Sequence, residues 1–211
     1  MAPDIWYAAR GAGLSALVLL SVSTALGALV SHHGRASTRY VVQYLHRVTA
    51  LLGLTALSLH LGAILADSYA KVGWLHALLP FAAQYRPTWV GLGTIAAYTF
   101  VGVGLLGLAR GQMAGTVRGA RSWRGLHALA YAGWAAAVLH GVNSGSDTAL
   151  GWVRLIYVLC LLGVLGSVAY RIAAVRSTSG PTGADRFAHI GQPIDPRRTT
   201  APVRVPSGAS R

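Results

Sequence analysis

Residues 38–60 read TRYVVQYLHRVTALLGLTALSLH, and the apolar run continues through LGAILA to residue 66. After Arg47 the stretch carries no charge. A helix needs about 20 such residues, rising about 1.5 Å each, to cross a hydrocarbon core. Within this one stand His46 and His60, fourteen residues apart. A second stretch, SWRGLHALAYAGWAAAVLH at 122–140, repeats the arrangement with His127 and His140, thirteen apart. Imidazole inside a membrane span is costly to hold, so such histidines point to a functional site.

Working outward, the composition fits a membrane setting. Of 211 residues 54% are hydrophobic and 11% charged, and the mean hydropathy is +0.50. A soluble domain carries roughly 25% charged residues. A net charge of +13 raises the question of nucleic acid. The arginines lie in short loops between apolar runs, however, and no basic face recurs along a soluble element. Nucleic acid is therefore excluded as a partner, and anionic membrane lipid is expected. Cys160 sits in an apolar run and, being the only cysteine, forms no internal disulfide.

Five segments are long enough to span, near 11–30, 41–66, 88–109, 124–143 and 152–175. The first has the look of a signal peptide, but its length and the following Arg35 and Arg39 favour a retained helix. The expected fold is all-α, a polytopic transmembrane bundle of about five helices occupying residues 1–176. From 177 to 211 the composition is rich in Ser, Thr, Pro, Gly and Arg. That segment is expected to be a disordered basic cytoplasmic tail.

Loop charge sets the orientation. Arg35 and Arg39, then Arg110, Arg118, Arg121 and Arg124, then Arg171 and Arg176 mark one side; the connections 67–87 and 144–151 are nearly neutral. The positive-inside rule gives a multi-pass protein of the cell membrane with its N-terminus outside and C-terminus in the cytoplasm. The second and fourth spans then run the same way. His46 and His127 match in depth near the cytoplasm, and His60 and His140 match near the outside.

Two imidazoles facing each other at one depth suit an iron held from both faces of a porphyrin, and the apolar macrocycle suits the lipid-embedded interior. The expected cofactors are two b-type haems between helices 2 and 4, one per pair. The bland reading of each histidine alone is a buried polar residue bonded to a neighbouring helix. Depth-matched pairing argues against that. A proton relay would want intramembrane carboxylates, and zinc would want more ligands at one depth.

Gly53, midway between His46 and His60, would let large rings lie against its helix; tight helix packing explains it equally well. Arg47 and Arg124 flank the cytoplasmic pair and Arg154 lies near the outer one, as candidate propionate partners or as snorkelling arginines. Tyr69, Trp74, His76, Asn143 and Asp147 lie near the outer exit. One difficulty remains in the spacing. Fourteen residues leave two side chains about 40° apart around a helix, whereas thirteen leave them about 140° apart. The fourth span is therefore expected to tighten or kink, with Ala135–Ala137 or Gly133 as candidate places, or else its haems approach from different sides.

The two stretches, with their Leu-His-Arg and Trp-Arg-x-Leu-His starts, resemble the haem-binding membrane domain of ferric reductases and NADPH oxidases. The resemblance covers roughly 10–175 and rests on the four histidines. It implies a bundle of six or slightly fewer helices with two stacked haems, His46 paired with His127 and His60 with His140. It also implies electron transfer from the cytoplasmic to the outer side. Unlike the large members, this sequence has no G-x-G-x-x-G after the fifth span to seat FAD or nicotinamide. The expected protein is thus an oxidoreductase or electron-transfer subunit. Its donor would be a separate flavoprotein or quinol, and its extracytoplasmic acceptor is open. The alternatives are a quinol-linked di-haem cytochrome b subunit, disfavoured by the 13-residue spacing, and a non-catalytic haem-carrying membrane partner.

Overall fold

A computed structural model describes residues 3–30, 36–66 and 73–178. The expected tail from 177 onward, apart from its first two residues, lies outside these, as do Arg35 and Tyr69. The described chain is almost entirely helical, with no strand among the described residues. The long helices are α1 (Pro3–Leu29), α2 (Ala36–Ala66), α4 (Pro87–Leu108) and α8 (Gly151–Thr178). The shorter ones are α3 (Trp74–Leu78), α5 (Arg110–Met113), α6 (Val117–His127) and α7 (Leu129–Ser144), with a 3₁₀ turn at Ser146–Ala149.

Four of these helices are long and apolar enough to cross a membrane: Asp4–Leu29, Ala36–Ala66, Pro87–Leu108 and Gly151–Ser177. Their hydroxyls do not interrupt them, because Ser21 and Thr24 donate to the carbonyls of Leu17 and Leu20 one turn back. Pro87 opens α4, where its missing N–H costs nothing. Thr116 caps α6 by accepting from the Gly119 amide at 3.0 Å.

The expected span 124–143 is divided between α6 and α7. The division falls at Ala128, whose N–H turns to the carbonyls of Arg124 and Leu126. Its own carbonyl accepts from Tyr131 at 3.1 Å, a tighter i→i+3 bond. Neither Gly133 nor the alanine run is the place of the change. Gly133 is buried where α7 crosses α4, and a Cβ there would lie 2.7 Å from Thr99. The α7 segment alone has 16 residues, about 24 Å of helix, against a hydrocarbon core of about 30 Å.

Two hairpin-like pairs make the body of the bundle: α1 packs along α2, and α4 along α7, with α1 also touching α7. Small residues sit at these seams, as is usual where helices approach closely in an apolar setting. A Cβ on Gly53 would meet Leu20 at 2.8 Å, and one on Gly104 would meet Leu54 at 2.9 Å. The core gathers Leu17 and Leu20 of α1, Phe100 of α4, Trp134 and Val138 of α7 and Val164 of α8. Trp134 is satisfied there: its indole N–H donates to Ser21 Oγ at 2.9 Å. Outward, α2 exposes Leu51, Leu52 and Leu59, and α8 exposes Leu155, Leu159 and Leu162. Such continuous apolar faces need lipid or a partner rather than water.

Candidate functional site

The four histidines come together as two pairs at opposite ends of the bundle. His46 and His127 have ring centres 6.2 Å apart, and His60 and His140 have ring centres 6.4 Å apart. The ring planes cross at 75° and 71°.

Three rings are held in one way. His60 Nδ1 lies 2.7 Å from the Ala9 carbonyl, His46 Nδ1 2.8 Å from that of Ser23, and His140 Nδ1 2.8 Å from that of Trp89. A carbonyl only accepts, so each Nδ1 carries the hydrogen and each Nε2 keeps its lone pair. In each case a glycine lies four residues beyond the carbonyl: Gly13, Gly27 and Gly93. A helical carbonyl already accepts from the amide four residues on and has a second lone pair to offer. Glycine at that place leaves it uncovered. A Cβ would come within 2.8 Å of the His60 ring at Gly13, 3.1 Å of His46 at Gly27 and 2.6 Å of His140 at Gly93. Ser23 adds its hydroxyl, 3.0 Å from His46 Nδ1 and donating to the His46 carbonyl.

His127 is held differently. Its Nδ1 is buried and has no hydrogen-bond partner. It is the last residue of α6, next to the interruption at Ala128. Its ring stacks on Trp123 with centres 4.7 Å apart and planes 18° apart. Trp123 in turn donates to the Leu106 carbonyl at 2.8 Å, and the Arg110 guanidinium lies 5.2 Å from its ring centre.

A cavity of about 1310 Å³ surrounds the His60–His140 pair. Leu17, Phe100 and Trp134 give it apolar walls, while Arg10, Asp147 and Tyr85 bring polar groups to it. Arg10 and Asp147 form an ion pair joining α1 to the 3₁₀ turn after α7.

The donor set suits haem. Among the described residues no three His, Cys, Asp or Glu come together, whereas a bare metal centre draws three or four ligands from the protein. A porphyrin supplies four of its own and asks for two axial imidazoles. A metal–imidazole bond of about 2.0 Å and a ring radius of about 1.1 Å would put the centres of two such rings about 6.2 Å apart. The two ring separations, 6.2 and 6.4 Å, lie close to that value. Nδ1–H bonded to a carbonyl is also the usual way a ligating histidine is oriented.

The remaining expected site residues divide. Gly53 faces Leu20 and Leu19 of α1, the packing role rather than a face for a ring. Arg47 and Arg124 are exposed near the His46–His127 pair. Arg154 is exposed, its Nε donating to the Thr148 carbonyl at 3.0 Å, and the arginine that lines the cavity is Arg10. Asn143 accepts from Arg86 through its carbonyl. Trp74 is exposed, and the His76 side chain lies outside the described residues. Sequence reading missed the carbonyl anchors of Ala9, Ser23 and Trp89, which have no residue signature. It also missed Gly13, Gly27 and Gly93, whose signal was present: Gly13 and Gly27 are fourteen apart, as His46 and His60 are. Comparison with protein-family models, with curated proteins and with solved structures gave no match.

Proposed function

We propose that this chain is a membrane-embedded di-haem b-type cytochrome passing electrons from a cytoplasmic donor to an extracytoplasmic acceptor. The observation that carries the reading is the separation of two histidine pairs, 6.2 and 6.4 Å, with three Nδ1 atoms committed to carbonyls. His46 and His127 would hold one haem and His60 and His140 the other. The bound iron supplies one-electron redox chemistry. The chain's own residues orient three of the four imidazoles through Nδ1, leaving Nε2 free as a ligand, and line the His60–His140 cavity with apolar Leu17, Phe100 and Trp134.

Orientation follows from loop charge. Near His46 and His127 the chain carries Arg39 in α2, Arg110 in α5 and Arg118 and Arg121 in α6, and Arg171 stands toward the end of α8. That end is cytoplasmic by the positive-inside rule, and the His60–His140 end faces outward. The end of α6 and the whole of α7 together make the fifth crossing in the cell membrane. The likeness of 38–60 and 122–140 to ferric reductase and NADPH oxidase haem domains supports the same direction of transfer. A separate flavoprotein or quinol would deliver the electrons.

The full chain purified in detergent should contain two haems b per polypeptide, both low-spin, and titrate in two one-electron waves. In sealed vesicles with a reductant on the cytoplasmic face, externally added ferricyanide should be reduced. A haem-free preparation, or a single haem after haem-supplemented expression, overturns the reading.

A further inference from the structure

The three anchored histidines define a rule that His127 breaks. Each anchored ring lies against a glycine on the facing helix and bonds the carbonyl four residues before it. Gly27 follows Gly13 by fourteen residues, and Gly107 follows Gly93 by fourteen. Gly107 is therefore where a fourth ring would rest. Yet His127 precedes His140 by only thirteen residues, and nothing lies within 4 Å of a Cβ built on Gly107. The consequences converge on one ring. Its Nδ1 is buried without a partner, its helix tightens at the next residue into an i→i+3 bond, and a stacked indole takes the place of a hydrogen bond.

A ligating imidazole whose second nitrogen bonds an acceptor is fixed in orientation and is the stronger base. Loss of such a partner lowers metal affinity about 10–100-fold. Stacking on Trp123 restrains the ring plane but adds nothing to the basicity of Nε2. The local tightening of the helix beside it and the open space at Gly107 leave the ring somewhere to go. The other three imidazoles have neither freedom.

Resting on the di-haem reading, we propose that His127 is an exchangeable ligand. Its position at the His46–His127 iron, in the ferrous state, is then a binding site for a small neutral diatomic molecule of the carbon monoxide, nitric oxide and dioxygen class. With haem bound, the exchange would be a ligand substitution in which Nε2 of His127 leaves the iron as the diatomic takes its place. No electron or proton is transferred, and the displaced imidazole stays neutral.

Carbon monoxide is the probe. The full chain, first shown to hold two haems, is reduced with dithionite and titrated with carbon monoxide. Half of the haem should change its Soret band at saturation. His127→Ala should bind at the same haem at least ten times more tightly, with no second haem becoming reactive. Should that variant lose the haem, Trp123→Leu, which removes the stacked indole together with its hydrogen bond to the Leu106 carbonyl and its contact with Arg110, should raise the affinity for carbon monoxide. Two haems with no response at saturation overturn the proposal and leave the di-haem reading standing. So does a second reactive haem in His127→Ala, since the first would then be the His60–His140 one, and so does unchanged affinity in Trp123→Leu. Fewer than two haems overturns the underlying reading itself, and the proposal with it.

Discussion

At the His60–His140 end both rings rest on glycines and both donate to carbonyls. At the His46–His127 end only His46 does, while His127 leans on an indole beside a helix interruption. The ring separations are nonetheless almost the same, 6.4 and 6.2 Å. The pairing distance therefore does not measure how firmly a ring is held. Register does. A shift of one residue between α4 and the α6–α7 stretch removes His127 from the glycine that the fourteen-residue spacing would assign to it. Polar closure differs too: the Arg10–Asp147 pair stands at the cavity of the His60–His140 end. At the other end the expected propionate partners Arg47 and Arg124 are exposed.

The largest effect that bears on this contrast is removal of an anchored ligand. His60→Ala should halve the haem content, leaving the His46–His127 haem with its spectrum unchanged; loss of both haems would mean the two ends do not act separately. Nearly as large is Gly93→Ala. The added methyl would lie 2.6 Å from His140 Nδ1 and 2.7 Å from Cε1, too close for the ring to stay on the Trp89 carbonyl. Alanine favours a helix by up to about 1 kcal/mol over glycine, so helix stability should not suffer. Haem at that end should fall by at least half, measured as haem per chain. Full occupancy with an unshifted spectrum would show that the glycine seat is not what holds the ring.

A middle-sized effect belongs to the charged mouth. Asp147→Asn removes a negative charge beside the His60–His140 cavity and leaves the Arg10 cation uncompensated. Ferric haem carries one positive charge more than ferrous, so nearby negative charge favours the oxidised form. The variant should raise the midpoint potential of that haem and leave the other where it was. A redox titration showing both waves moved together, or neither, would mean that Asp147 does not act on that end alone.

Much of the site could be read from residues 38–60 and 122–140. The apolar length of the spans marked them as helices, and the spacing of His46, His60, His127 and His140 set two depths. Arginine in alternate loops made the two stretches parallel. The means of holding the rings could not be read, because every residue owns a carbonyl and only packing decides whose is reached. Arg154 stands early in its span, and antiparallel packing of α1 brings Arg10 to the lining of the His60–His140 cavity, a placement that position along a span does not reveal. The interruption at Ala128 has no breaker to announce it: neither proline nor glycine stands there. It arises where the α6–α7 register must accommodate thirteen residues between two rings that face the same partner helix.

The smallest expected effects test the contrast most closely. Gly27→Ala places a methyl 3.1 Å from His46 Cε1, a contact the ring relieves by giving a few tenths of an ångström. It should keep two haems and shift the His46–His127 spectrum slightly. Gly107→Ala places a methyl where nothing lies within 4 Å, and should change neither haem content, spectrum nor potential. The two glycines are alike in sequence position, each fourteen residues after another glycine on its helix. Only the ring opposite distinguishes them. If Gly107→Ala disturbs the haem of His46 and His127 as much as Gly27→Ala does, then His127 rests on Gly107 in the loaded protein, and the two ends are built alike. If it is silent while Gly27→Ala is not, the thirteen-residue spacing has freed one ligand of the four, and the ends differ by that ligand.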